Sequence, residues 1–322
     1  MPFSTYDTWY NRGRDLYRRL LFPSPAIRPL QPPQDLPEVE LRSPVFIVGS
    51  ARSGTTVLSH LLQMHPAIIR TRGIPDGEDT AMWVKYAGAE IAGIGSGRAK
   101  QAIGSSVCKS MDENDVEEER RKWLRYHLWQ KYQRNYPEKH ILNKNSHLSN
   151  KLPFVQKIFP KAKIIHLIRN PAATIASLRK TLLDHRKIVF ELANDKYPCW
   201  NIHPVTNGRY KGNLKSNRLF RENRVDLLAE YWCKLNQGIL DIKQRYPGMK
   251  ILTVRYEDLV NNPRVELEKI ESFIGLEFYD RSINTLNTNR IDQWKKLLTG
   301  MEINQIRNIL SEGNINFKYN LS

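Results

Sequence analysis

Residues 45–64 read VFIVGSARSGTTVLSHLLQM, and this stretch decides the fold. Its first four residues are apolar and mostly β-branched, which suits a strand buried on both faces of a parallel sheet. The run stops at Gly49. From Thr55 onward, Val57, Leu58, Leu61 and Leu62 fall at helical spacing as far as Met64. The unit is therefore strand, glycine-bounded loop, helix. Backbone N–H groups converge at the start of such a helix, and its dipole adds to them, so the unit is suited to an anion. Against the phosphate-loop pattern GxxxxGK[ST], Gly49 and Gly54 have the required spacing and Thr56 holds the hydroxyl position. Thr55 stands where the lysine of triphosphate enzymes would be. A cation appears inside the loop instead, at Arg52, whose planar guanidinium can grip two oxygens at once. Ser53, Thr55 and Thr56 add hydroxyls. The loop suits a nucleotide whose 5′ group is not a triphosphate.

Working outward, the same alternation recurs. Ile141-Leu142-Asn143 reads as a second strand and Ile164 to Ile168 as a third. The third ends at Arg169-Asn170, and Pro171 opens a helix through Leu178, as proline does in a first helical turn. Ligands in such sheets gather at the carboxyl ends of strands, so Arg169 is placed to hold a second phosphate, with Ser177 two turns into the helix. A helix over Val225–Tyr246, a strand over Lys250–Val254 and a helix over Pro263–Phe273 before Gly275 follow. Short helices follow Arg290. Alternating strands and helices give an α/β domain with a parallel sheet flanked by helices.

Three stretches break the pattern. Residues 1–43 read as an N-terminal arm. Tyr6 to Leu21 mixes aromatics with Arg12, Arg14, Arg18 and Arg19, and the proline-rich run FPSPAIRPLQPPQDLPEVE follows. A short basic helix there packs on the domain, the reading we favour, or lies on a membrane surface. Residues 70–112 show little periodicity, and GIGSGRAKQAIGSS within them reads as a mobile loop. The acidic run DENDVEEE leads into RRKWLRYHLWQKYQRNY, an order that complements a helix dipole. Residues 184–224 are basic and irregular with no apolar face, and read as an insertion or lid within a domain spanning 44–322.

Composition sets outer limits. The chain has 322 residues and a net charge of +17, which favours anionic partners without choosing among them. No run approaches a membrane span, and the N-terminus lacks the apolar core of a signal peptide. Cys108, Cys199 and Cys233 are odd in number and have no CxxC spacing, so neither a disulfide framework nor a zinc cage is indicated. A cytoplasmic protein without a metal site is expected.

Three segments together carry a resemblance. FIVGSARSGTTVLSHLLQMHP resembles the 5′-phosphosulfate loop of the sulfotransferase family, in the arginine form seen in tyrosylprotein and carbohydrate sulfotransferases. KIFPKAKIIHLIRNPAATIASL resembles the family's 3′-phosphate segment, and VRYEDLVNNPRVELEKIESFIGL its later Tyr-Glu-Asp-Leu segment. They occur in family order over about residues 44–278. The resemblance implies a P-loop-like sulfotransferase fold and the donor PAPS (3′-phosphoadenosine 5′-phosphosulfate), which leaves as PAP. It implies that Ala51, Arg52, Ser53, Gly54, Thr55 and Thr56 bind the 5′-phosphosulfate. Arg169 and Ser177 then bind the 3′-phosphate, and Tyr256 sits near the nucleotide.

Sulfuryl transfer builds negative charge on the leaving oxygen, which cations stabilise. Arg52 is the first such cation. Lys144, in Leu-Asn-Lys-Asn-Ser, is the second and resembles the lysine of the family's Lys-Thr-Pro-like segment. The acceptor hydroxyl needs a base. Relatives often carry a glutamate shortly after the His-Pro that here is His65-Pro66, but the matching position holds Gly73. Asp76, Glu78 and Asp79 lie just beyond; Glu78 is the choice, with Asp76 or His147 as alternatives. His65 reads as a packing residue at the helix end. The acceptor stays open among glycan, lipid, carrier-bound or other small molecules, and nucleic acid is not expected. Competing readings are a nucleotide kinase or NTPase with an atypical loop, a non-catalytic polyanion-binding protein, and an inactive relative.

Overall fold

The computed structural model describes residues 29–72, 78–89, 110–184, 188–192, 200–204, 219–220, 225–281, 283, 286, 291–313 and 319. The deciding stretch forms β1 (Val45–Val48) and α1 (Thr55–Gln63). The chain then makes β2 (Ile68–Arg70), α2 (Thr80–Ala87), α3 (Glu118–Leu128), β3 (His140–Lys144) and α4 (Leu152–Ile158). Next come β4 (Lys163–Ile168), α5 (Pro171–Asp184), β5 (Ile188–Leu192), β6 (Trp200–Pro204) and β7 (Leu219–Phe220). The last elements are α6 (Val225–Arg245), β8 (Lys250–Arg255), α7 (Tyr256–Asn261), α8 (Pro263–Ile274) and α9 (Gly300–Glu312).

Five strands pair in the order β2-β3-β1-β4-β8, all parallel. After β1 the chain moves to one side of the sheet to build β2 and β3, then returns to the other side for β4 and β8. The carboxyl ends of β1 and β4 thus flank a switch point, where open parallel sheets form a ligand crevice. The sheet is covered on both faces, as parallel sheets are. Val45, Ile47, Leu142, Ile165 and Leu167 face Leu58, Leu61 and Leu62 of α1 and the helices α7 and α8. Phe46, Val48, Ile141 and Ile164 face the opposite core of α2 to α6. In that core Phe46, Trp83 and Phe159 form an aromatic cluster with ring centroids 5.5–6.1 Å apart.

Five local expectations change. The aperiodic stretch 70–112 contains α2, an eight-residue helix with Met82, Trp83, Val84 and Ala87 buried. Two turns are too short for the helical period to declare itself, and its N-cap Asp79 makes no side-chain capping bond. The segment GIGSGRAKQAIGSS lies outside the described residues. Part of the irregular segment 184–224 pairs as an antiparallel three-stranded sheet, β6-β5-β7, with Leu192 opposite Trp200 and Phe190 opposite Phe220. Its strands are two to five residues long between basic runs, which hid their β-branched and aromatic content. The short strand β2 and the helix α7, whose first residue is Tyr256, were also unforeseen. The helix predicted after the acidic run ends at Leu128 and continues as one π turn, Trp129–Gln133.

Residues 29–43 run along α2 and α3. Leu30 N–H donates to Lys85 O at 3.0 Å, and the Arg121 and Arg125 guanidiniums donate to Glu38. Residues 1–28, with the basic helix expected there, lie outside the described residues.

Candidate active site

The loop after β1 is held in a shape that only its sequence permits. Gly49 has φ 142° and Gly54 has φ 96°, in the region that favours glycine. A Cβ on Gly49 would strike Leu167 O of the neighbouring strand. One on Gly54 would lie 2.5 Å from Tyr256 Cε2. Arg52 also has positive φ, 69°, although it carries a side chain. Such strain costs about 1–2 kcal/mol and gathers at functional loops.

Neighbouring elements fasten the loop. Gly49 N–H donates to Ser149 Oγ at 3.1 Å, and Ala51 N–H donates to the buried Tyr231 hydroxyl at 3.1 Å. Burial raises the Tyr231 phenol above its ordinary range, so it stays neutral. Ser53 is fully buried. Its hydroxyl donates to Ser50 O at 2.6 Å and lies 2.5 Å from Ser50 Oγ, so it closes the loop on itself. Thr55 is buried and Thr56 half-buried in the first turn of α1. The first intrahelical bond runs from Leu58 N–H to Gly54 O, so the preceding amides face out of the helix end. That turn has no acidic residue, and Gly54 supplies no side-chain cap. The positive end of the helix is left for an anion, which fits a phosphosulfate or phosphate group.

Across the switch point, Arg169 follows β4. Its guanidinium lies 4.6 Å over the Tyr256 ring and donates from NH1 to Arg52 O at 3.2 Å. Arg52 in turn donates from Nε to Ser177 Oγ at 3.1 Å. The structure thus brings Arg52, Gly54, Arg169, Ser177 and Tyr256 into one connected group, from three separate segments of the chain. Two planar cations and a helix N-terminus meet at one crevice.

A second group forms at the end of β3. Lys144 Nζ donates to Glu78 Oε1 at 2.7 Å, and the two side chains are 4% and 10% exposed. Both charges are buried, so each compensates the other. Glu78 is fixed from behind: its carbonyl accepts from Asn143 Nδ2 at 3.1 Å and from Asn145 Nδ2 at 3.0 Å. Asn143 is oriented by Trp83 Nε1, which donates to its Oδ1 at 3.2 Å. The unforeseen helix α2 therefore positions the carboxylate. Sequence reasoning missed Asn143 and Asn145; their adjacency to Lys144 is the one signal that could have found them.

The other candidates for a base separate. Asp79 turns to Lys131 at 3.7 Å, and burial raises its carboxyl despite that cation. His147 is buried; burial, with the nearby Lys151 and Lys144 charges, lowers its ring to about 3. It is neutral at physiological pH. Asp76 and Gly73 lie outside the described residues. His65 packs at the end of α1, where Nδ1 accepts from Ala67 N–H at 3.0 Å and the ring meets Tyr279 edge-on at 5.5 Å.

Lys144 ends β3, and the Gly49 loop and Arg169 follow the adjacent strands β1 and β4, so their anchors span about 10 Å at the usual strand spacing. Glu257, like Ser149 and Tyr231, escaped sequence reasoning. Beside Tyr256, it accepts from Asn170 N–H at 2.9 Å and so fixes the turn that carries Arg169. Cys233 is buried, and burial raises its thiol to about 12; Cys108 and Cys199 lie outside the described residues. Among the described residues no helix is long and apolar enough to cross a membrane.

Residues 44–280 match the profile of the Sulfotransferase family. Among solved structures, the sulfotransferase domain of the Synechococcus PCC 7002 olefin synthase is similar with a TM-score of 0.52 and 18% identity. That match covers 92% of this chain and all of that one. The sulfotransferase domain from the curacin biosynthetic pathway is similar with a TM-score of 0.51 and 16% identity, covering 85% of this chain and 98% of that one. At these identities the likeness speaks to the fold, which is the parallel sheet flanked by helices expected from the sequence.

Proposed function

We propose that this chain, which belongs to the sulfotransferase family, transfers a sulfuryl group from PAPS to an acceptor hydroxyl and releases PAP. The observation that carries the reading is the meeting of Arg52, Arg169 and Ser177 at the loop whose glycines let it pack closely on Leu167 and Tyr256. In this reading the amides of Arg52, Gly54, Thr55 and Thr56 and the Arg52 guanidinium hold the 5′ end of the donor, while the Ala51 and Ser53 amides brace the loop through Tyr231 and Ser50. Arg169 and Ser177 hold the 3′-phosphate, and Tyr256 stacks beneath Arg169 as its platform.

In the transfer, the bond between sulfur and the bridging oxygen of the 5′-phosphate breaks while a bond from the acceptor oxygen to sulfur forms. Charge grows on the departing oxygen, where Arg52 and Lys144 stabilise it more than in the ground state. The acceptor proton passes to Glu78, whose backbone is fixed by Asn143 and Asn145. Burial of the Lys144–Glu78 pair strengthens their mutual attraction, because little water screens it.

The test is calorimetric titration with PAP beside ADP and ATP, with and without magnesium. Tight, metal-independent PAP binding with much weaker ADP binding is the expected result. Absence of a PAP preference would overturn the donor assignment, and a magnesium-dependent ATP preference would turn it toward a kinase.

A further inference from the structure

The sequence beyond residue 280 lies outside the matched family region, yet it reaches the turn that carries Arg169. Tyr319 donates its hydroxyl proton to Glu257 Oε2 at 3.2 Å. The other oxygen of the same carboxylate accepts from Asn170 N–H at 2.9 Å. On the remaining side, Trp232 Nε1 donates to Arg169 O at 3.1 Å, and the Trp232 ring meets the Tyr319 ring edge-on at 6.2 Å. The Arg255 guanidinium lies 4.4 Å over the face of Tyr319. Asn170 itself caps α5, its Oδ1 accepting from Ala173 N–H at 3.1 Å. Every backbone bond that fixes the Arg169-Asn170 turn among these thus leads to Glu257, Trp232 or α5, and Tyr319 touches the first two.

We infer that Tyr319 is a positioning residue for the donor 3′-phosphate site: through Glu257 and Trp232 it sets the turn that aims Arg169. The inference rests on the proposed role of Arg169 in PAP binding. The physical case is one of shared geometry. Glu257 has two acceptor oxygens, and one is committed to the turn. A single carboxylate oxygen bound to a backbone amide leaves the side chain free to swing about that contact. The second bond, from Tyr319, fixes its plane and hence the position of Asn170 N–H. The Tyr319 ring is wedged between Trp232 and Arg255, so its hydroxyl has little freedom. Burial raises the phenol, which therefore remains a donor throughout the working pH range.

The experiment compares PAP with adenosine 5′-monophosphate, which lacks the 3′-phosphate, by calorimetry on the wild type and three variants: Tyr319→Phe, Glu257→Gln and their combination. Tyr319→Phe keeps the ring and removes one donor, so it should remain folded, with thermal melting as the check. The expected result is PAP affinity about fivefold weaker with AMP affinity unchanged. Once Glu257→Gln is present, Tyr319→Phe should add little, because the two act through one contact. Unchanged PAP affinity in Tyr319→Phe, equal weakening of PAP and AMP, or full additivity with Glu257→Gln would each overturn the inference. Arg169→Ala serves as the reference. If it leaves the PAP-to-AMP ratio unchanged, the underlying assignment of the 3′-phosphate site has failed, and that outcome is distinct from failure of Tyr319 alone.

Discussion

Removal of the Lys144 ammonium gives the sharpest test of the second group. In Lys144→Met the aliphatic stem is retained in shape and the charge is lost. Glu78 is then left as a carboxylate whose side chain is 10% exposed, without the cation now 2.7 Å away. Breaking a buried pair from one side costs about 3–5 kcal/mol, because the remaining charge keeps its desolvation penalty. Removing both charges, as Lys144→Met with Glu78→Gln, should cost far less, within about 1–2 kcal/mol of the wild type, since neither partner is left stranded. Urea unfolding at neutral pH measures all four proteins of the cycle. Acid adds a further check. A stranded buried carboxyl takes up a proton more readily in the folded state than in the unfolded state, so the deficit of Lys144→Met should shrink as pH falls. If Lys144→Met is as stable as the wild type at neutral pH, or if the double variant is the less stable of the two, the pair does not compensate as described. Turnover gives an independent readout: both single variants should fall more than tenfold.

Further outcomes follow from the same geometry. Gly54→Ala combines a left-handed backbone with a Cβ that meets the Tyr256 ring, so it should lose about 2–4 kcal/mol of stability in urea unfolding. A loss under about 0.5 kcal/mol would mean that the loop is not packed on Tyr256. Arg169→Ala should weaken PAP binding about tenfold to a hundredfold, the worth of a charge-assisted bond, while the protein stays folded. Arg52→Ala should lower turnover more than tenfold with unchanged melting temperature; near-normal turnover would remove it from the mechanism. Burial holds His147 at about 3 and His166 at about 4, below the usual 6.5 of an unfolded histidine. Their contribution is complete above about pH 6.5 and is lost as pH falls toward those values, at about 1.4 kcal/mol each by pH 5.5. Melting temperature should therefore drop between pH 7.5 and 5.5, and less steeply in His166→Gln. Parallel profiles would show that His166 titrates normally.

The sequence by itself determined what is local. The β1 run, the glycine spacing and the apolar positions of α1 fixed a strand, loop and helix. The alternation of such units fixed a parallel sheet, because these signals act within a few residues. Arg52 and Arg169 were legible because each ends or follows a strand in a recognisable pattern. Short elements were not legible: α2 has two turns, and β5 to β7 are brief strands among basic residues, so neither shows a period. Strand order was also hidden. It takes the β2-β3-β1-β4-β8 arrangement to bring together Lys144 with Glu78, 66 residues apart, Asn170 with Glu257, 87 apart, and Arg52 with Ser177, 125 apart. None of these pairs interacts along the chain. Each is made where the carboxyl ends of neighbouring strands converge, and the loss of chain freedom is offset by burial of the whole core rather than by the pair itself. For that reason the sequence named the cations of the site, while only the tertiary structure decided which carboxylate stands beside Lys144 and what holds Arg169 in place.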